Sequence, residues 1–169
     1  MKEHTDSLGR IPQELEQFMM GSSTSLLIKG APGTGKTTLA LEVLRLMSGE
    51  VKCHYFSTRS SIKKLKEQFP WIERELEKIG FEPIDARLGT PQHLITIATR
   101  IRREVGCCWV CDSWVSISDE LSPKERNKVE RTLVSIADSC GAKIVFVSEK
   151  LGGRSLEYLS DGVVTLRQI

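Results

Sequence analysis

The feature that most constrains this chain is the stretch GAPGTGKTT, Gly30–Thr38. It lies between an apolar run, SLLIK at Ser25–Lys29, and a helix-forming run, LALEVLRLM at Leu39–Met47. It fits G-x-x-x-x-G-K-[ST] at each fixed position, as Gly30, Ala31, Pro32, Gly33, Thr34, Gly35, Lys36 and Thr37. Glycines accept positive φ and carry no Cβ, so successive N–H groups can turn inward and form an anion-binding nest. A helix that starts there aims the positive end of its dipole at the same anion. Lys36 adds a cation with the reach of a β/γ-phosphate, and Thr37 a hydroxyl suited to Mg²⁺, with Thr38 beside it. Leu39, Val43, Leu46 and Met47 fall on one helical face. A strand, a bare loop and a helix in that order predict a polyphosphate site in an α/β protein.

The rest of the chain repeats the alternation. A short helix is predicted over residues 12–20, with Ile11, Leu15, Phe18 and Met19 on one side, followed by a loop to Thr24. Strands are predicted at Ser25–Lys29, Val51–Ser57, Cys107–Asp112, Lys143–Ser148 and Gly162–Leu166. A short or edge strand is expected within Phe81–Ala86, because Pro83 cannot donate to a ladder. Helices are predicted at Lys36–Ser48, Ser60–Phe69, Trp71–Ile79, Thr90–Val105 and from Ser122-Pro123 to Cys140, with Gly80 and Gly141 as terminating glycines. The Thr90 helix shows Leu94, Ile97, Ala98, Ile101 and Val105 on one face, the last helix Val129, Leu133, Ile136, Ala137 and Cys140. Several strands are apolar throughout, as strands covered on both faces are. The expected fold is α/β: a three-layer sandwich with a mostly parallel central sheet and helices on both faces. At 169 residues it reads as one domain over 1–169, with residues 1–24 leading into the core.

Composition excludes some functions. A net charge of +2 is too near neutral to argue for nucleic acid alone. The start, MKEHTDSLGR, is polar, so no secretory signal is expected, and no apolar run approaches a membrane span. A cytoplasmic protein with five reduced cysteines is expected. The C-x-x-C spacing at Cys108 and Cys111 is not read as a metal site, because i and i+3 on a strand face opposite sides. Cys107 and Cys111 share a face but stand about 13 Å apart.

A phosphate loop needs a carboxylate for magnesium, and Asp112 closes the apolar run CCWVCD, with Ser113 next to it. At a strand's carboxyl end it faces the ligand crevice of an open α/β sheet. A hydrolase also needs a group that activates water. The second strand ends YFSTRSS, with no carboxylate from Thr58 to Ser61. Ser148 and Glu149 end a later strand, and Asp85 is a less certain third acid.

On these residues the chain resembles the RecA-like ATPases, and most closely their KaiC-like branch, over about residues 10 to 167. The pieces are GAPGTGKTTLALE at Gly30–Glu42, STRSSIKKLKEQFPW at Ser57–Trp71, VCDSW at Val110–Trp114, VFVSEK at Val145–Lys150 and LSDGVVTL at Leu159–Leu166. The STR and QFPW stretches are similar to an archaeal subset that includes the gas-vesicle regulator GvpD and recombinase-paralogue ATPases. The resemblance implies ATP/ADP and Mg²⁺ binding, with Thr37 and Asp112 at the metal, Lys36, Asp112 and Glu149 in catalysis, and Ser148 near the γ-phosphate. KaiC-like ATPases place a glutamate pair just after the second strand. Arg59 and Ser60 stand there instead, so slow hydrolysis is expected. Arg59 either stabilises charge at the γ-phosphate or caps the turn into the next helix.

RecA-like domains assemble side by side, which implies a homo-oligomer or a partner protein. The segment KLGGRSLEY, Lys150–Tyr158, with Lys150 and Arg154, is either a finger toward a neighbour or a DNA loop, or else a solvated connection. Basic residues on the helices come mixed with acids, such as Arg126 with Glu130 four residues on, and read as solvated faces. No aromatic platform supports DNA binding independently. The reading is a slow Mg-dependent ATPase. The alternatives are a non-hydrolysing regulatory ATP-binding module or a recombinase paralogue that binds single-stranded DNA. A P-loop kinase is weaker, since no arginine-rich lid stands out.

Overall fold

The computed structural model describes residues 11–58, 61–77, 79–83, 90–149 and 154–168. The elements are α1 (Gln13–Met20), β1 (Ser25–Gly30), α2 (Lys36–Met47), β2 (Cys53–Ser57), α3 (Ile62–Gln68), a single 3₁₀ turn (Pro70–Ile72), α4 (Glu73–Leu76) and β3 (Ile79–Pro83). They continue with α5 (Thr90–Arg103), β4 (Cys108–Asp112), α6 (Trp114–Ser118), α7 (Pro123–Ser139), β5 (Lys143–Ser148), α8 (Arg154–Leu159) and β6 (Gly162–Leu166). The six strands form one sheet in the order β3-β2-β4-β5-β1-β6, and every pairing is parallel.

Each central strand feeds two apolar layers by strict alternation. Leu26, Ile28, Tyr55, Val110, Val145 and Val147 pack with α1, α2 and α3 on one face. Leu27, Phe56, Trp109, Cys111, Ile144 and Phe146 pack with α5, α6 and α7 on the other. Cys108 and Cys111 therefore sit in different layers, as the spacing required, and all five cysteines are thiols. Burial pushes the Cys111 thiol up to about 12, so it stays protonated at neutral pH. β3 is the edge strand expected around Pro83.

Several local expectations need correction. Gly80 does not close a helix. The helical segment stops at Leu76, and Ile79 and Gly80 are already in β3, where Gly80 pairs with His54. A Cβ at Gly80 would lie 2.5 Å from His54 Nδ1, so the glycine admits a ring rather than a turn. Val105 leaves the α5 face because the helix ends at Arg103, and it is 73% exposed. The second strand starts at Cys53 rather than Val51, and α3 starts at Ile62 behind a Ser61 cap. On α2 the fully buried stripe is Ala40, Leu41, Val43, Leu44 and Met47, while Leu39 and Leu46 lie at its margin. Glu130 does not pair with Arg126 on a wet face. It is buried and accepts from Trp114 Nε1 (2.7 Å) and Ser155 Oγ (2.8 Å), while Arg126 donates to the Ser118 carbonyl. The helices α6 and α8 carry no periodic signal long enough to have been read from sequence.

α7 begins as its sequence directs. Ser122 caps Glu125 N–H, the Glu125 carboxylate returns to Ser122 N–H, and Pro123 fills the first turn. No helix of the described residues is long and apolar enough to cross a membrane.

Candidate functional site

At the carboxyl ends of β1, β4, β2 and β5 the phosphate loop and its neighbours enclose a crevice of about 350 Å³. Gly33 and Gly35 hold φ of 79° and 87°, values that side-chain-bearing residues resist. A Cβ on Gly30 would meet the Leu166 carbonyl and Thr34 Oγ1, each at 2.6 Å, so the loop can leave β1 only as glycine. Thr34 Oγ1 and Lys36 Nζ both donate to the Ala31 carbonyl, at 2.8 and 2.7 Å. Lys36 is thereby held across the loop, with the residue as a whole buried.

Facing the loop, Thr37 Oγ1 donates to Asp112 Oδ2 at 2.7 Å. Thr37 opens α2 and Asp112 ends β4, so 75 residues of chain separate two groups that the fold puts in contact. The register explains it: Asp112 pairs with Ser57 of β2 on one side and Val147 of β5 on the other. Its main chain is anchored as well, since Thr58 N donates to the Asp112 carbonyl at 2.9 Å and Ser113 N donates to Thr58 Oγ1 at 3.2 Å. The Asp112–Ser113 peptide is cis.

Tyr55 completes this cluster. Its hydroxyl donates to the same Asp112 Oδ2 at 2.6 Å from a fully buried position. Burial, and then the adjacent Asp112 charge, raise its pKa well above the usual phenol value, so it remains a donor. The sequence contained one usable sign of this. Tyr55 lies two residues before Ser57 and so shares its face, but only the β2–β4 register reveals that this is Asp112's face.

Of the sequence-derived residues, Pro32, Gly33, Gly35, Lys36, Thr37, Thr38, Asp112 and Glu149 line the crevice. Gly30, Ala31 and Thr34 build the loop behind it. Ser148 does not line it. Alternation along β5 sets Ser148 with Ile144 and Phe146, whereas Val147 reaches the crevice. Ser57, Gln68 and Phe69 also line the crevice, and sequence reasoning passed over them. Gln68 and Phe69 arrive because α3 ends there, against the loop. Arg59, Ser60, Asp85 and Lys150 lie outside the described residues; Arg154 begins α8. The donors at the Thr37–Asp112 contact are all oxygen, which fits a hard divalent cation rather than a soft one.

The family model of the P-loop domain of the GvpD gas vesicle protein matches residues 15–89 and 92–169. Two relatives from Halobacterium salinarum are similar along almost the whole chain. Protein GvpD2 is 29% identical over 181 residues, covering 95% of this chain and 37% of its own length. Protein GvpD1 is 29% identical over 185 residues, covering 96% and 34%. The chain thus spans about a third of the length of the curated relatives it matches.

Proposed function

Since this chain belongs to the family of the GvpD gas vesicle protein P-loop domain, a nucleotide-binding fold, we propose that it binds ATP with Mg²⁺ and hydrolyses it slowly. The observation that supports this most is the meeting of Lys36, Thr37 and Asp112 around one crevice at the mouth of a glycine loop. Backbone N–H groups of Gly33, Gly35 and Lys36 receive the phosphates, reinforced by the α2 dipole. Lys36 leaves the Ala31 carbonyl for a phosphate oxygen. Thr37 Oγ and Asp112 would hold Mg²⁺, Asp112 directly or through water. When bound, the ion would supply charge neutralisation for the polyphosphate. Tyr55 keeps the Asp112 carboxylate oriented.

Glu149 is the one described carboxylate besides Asp112 at the crevice, and it is the candidate base for water. It stands at the end of β5, not in the place of the missing glutamate pair, so turnover is expected to be lower by a factor on the order of 10²–10⁴ than with a well-placed base. The output of such a site is the nucleotide state itself, presented to a second copy or a partner protein. The matching family is described as a gas vesicle protein's P-loop domain, which supports a role of this kind rather than DNA repair.

Calorimetry with ATP and ADP, with and without Mg²⁺, tests binding, and single-turnover assays test hydrolysis. We expect Mg-dependent binding, slow turnover, and loss of both in Lys36→Ala. Hydrolysis at ordinary ATPase rates, unchanged in Glu149→Gln, would remove the slow-enzyme reading; no nucleotide uptake would remove the whole proposal.

A further inference from the structure

At the opposite, amino-terminal edge of the sheet a second cluster of chemically active groups meets. His54 is the second residue of β2, Glu104 follows the end of α5, and Cys107 immediately precedes β4. His54 Nε2, a Glu104 carboxylate oxygen and Cys107 Sγ all lie within 4.8 Å of one another, the only such group of three among the described residues. Nε2 lies 2.7 Å from Glu104 Oε2, and the thiol 3.9 Å from the same oxygen.

The local chain path makes the cluster. Gly106, at φ 77°, reverses the backbone after α5, and its N–H bonds to the Cys140 carbonyl. That turn folds Glu104-Val105-Gly106-Cys107 into a knuckle whose two ligand-type side chains, three residues apart, point to the same place. A ligand-x-x-ligand turn is a recurring way to offer two donors to zinc. His54 supplies the third from the neighbouring strand. Its ring is held by stacking on Trp109, centroids 4.1 Å apart, and its Nδ1 is buried against Gly80 without a partner. Nε2 is therefore the nitrogen left for chemistry.

We propose that His54, Glu104 and Cys107 form a binding site for one soft or borderline divalent cation of the zinc class, with a solvent molecule as fourth ligand. Imidazole, carboxylate and thiolate are together the donor set such an ion takes, and three protein ligands leave one position open. A zinc tetrahedron has edges of about 3.4 Å for nitrogen–oxygen and about 3.6 Å for oxygen–sulfur, so Nε2 and Oε2, now 2.7 Å apart, must part, while the thiol, now 3.9 Å from Oε2, draws in slightly. Two cations now answer Glu104: Lys52, 2.8 Å from Oε2 with a side chain 65% exposed, and Arg100, 3.9 Å from the other oxygen, Oε1, which leaves the ligand oxygen contested by Lys52. An exposed lysine swings out at little cost. On binding, the Cys107 thiol proton leaves to solvent, the imidazole proton moves from Nε2 to Nδ1, and the Lys52 ammonium remains protonated in water.

The test uses the metal-stripped full chain without nucleotide, titrated with Zn²⁺ against a chromogenic chelator and separately with Co²⁺. One equivalent of zinc and a thiolate-to-cobalt charge-transfer band are expected. Cys107→Ser and Glu104→Gln should weaken zinc by at least the roughly 10–100-fold that loss of a mere outer-shell partner costs, while Cys140→Ser, a thiol outside the cluster, leaves it unchanged. Lys52→Ala should tighten zinc, because it removes the cation that pairs with the ligand oxygen Oε2. A purely structural ion network predicts no such gain. Near-ultraviolet circular dichroism confirms that each variant is folded. Absence of stoichiometric uptake, or equal uptake by folded Cys107→Ser, overturns the proposal. Neither result bears on the nucleotide crevice, which lies at the other edge of the sheet.

Discussion

At the scale of single residues, the chemistry of the crevice turns on how many donors Asp112 satisfies. Its Oδ2 accepts from both Thr37 and Tyr55, and these two bonds differ in kind. Thr37 can turn its hydroxyl away to a metal. Tyr55 is fully buried and its raised pKa keeps the phenol protonated across the physiological range. It is a positioning residue: it orients the acid and touches neither phosphate nor metal. Tyr55→Phe removes one hydroxyl and almost no volume. The Mg²⁺ concentration needed for half-maximal ATP binding should rise about 10-fold, as for other groups that orient a metal ligand, while Mg-free nucleotide affinity stays constant. Equal loss under both conditions would mean that the hydroxyl serves packing alone. Titration calorimetry at fixed ATP and varied Mg²⁺ separates the two. Because the phenol's folded pKa is raised, it stays neutral as pH increases through the ordinary tyrosine range, so the difference between the two proteins should be flat from neutral pH up to that range.

Among elements, α6, α7 and α8 are tied by one buried carboxylate. Glu130 on α7 holds the indole of Trp114, two residues past Asp112, and the hydroxyl of Ser155 on α8. A second link, the Lys29–Glu157 ion pair, joins α8 to β1 just before the phosphate loop. α8 is thus attached to α7 through Ser155 and to the carboxyl end of β1 through Glu157. Glu130→Ala would leave the buried indole N–H without its acceptor. An unsatisfied buried donor costs about 1–3 kcal/mol, more when the lost partner is charged, which for a chain of this size is a fall in Tm of about 2–12 °C. Glu130→Gln keeps an acceptor for the indole and should lose less than half as much. Thermal denaturation of both variants measures the comparison. Equal losses would show that the carboxylate charge, not the hydrogen bond, is what the helices need.

For the whole molecule, ligand binding and stability are linked. A ligand that binds only the folded state stabilises it by about 2.7 kcal/mol at 100 times its Kd. Saturating ATP with Mg²⁺ should therefore raise Tm by about 5–10 °C, and Lys36→Ala should abolish that rise without lowering the Tm of the ligand-free protein by a similar amount. Differential scanning fluorimetry reads both. A nucleotide-independent Tm in the wild-type chain would contradict the proposed function directly.

How much of this was legible in advance follows from the range of each interaction. The phosphate loop, the parallel α/β architecture, the β5 and β6 boundaries and Asp112 as the facing acid all rest on local pattern: glycine placement, apolar runs and a carboxylate at a strand end. Those are decided within a dozen residues, so the amino-acid order alone determined them. Tyr55 and Gln68 in the crevice, Ser148 turned away from it, Glu130 buried under an indole and the meeting of His54, Glu104 and Cys107 rest on strand register and helix docking. A shift of one residue in the β2–β4 pairing would reverse which side chains share Asp112's face. Register is settled by the packing of all six strands and their helices together, and that sum of long-range contacts exists only in the folded chain.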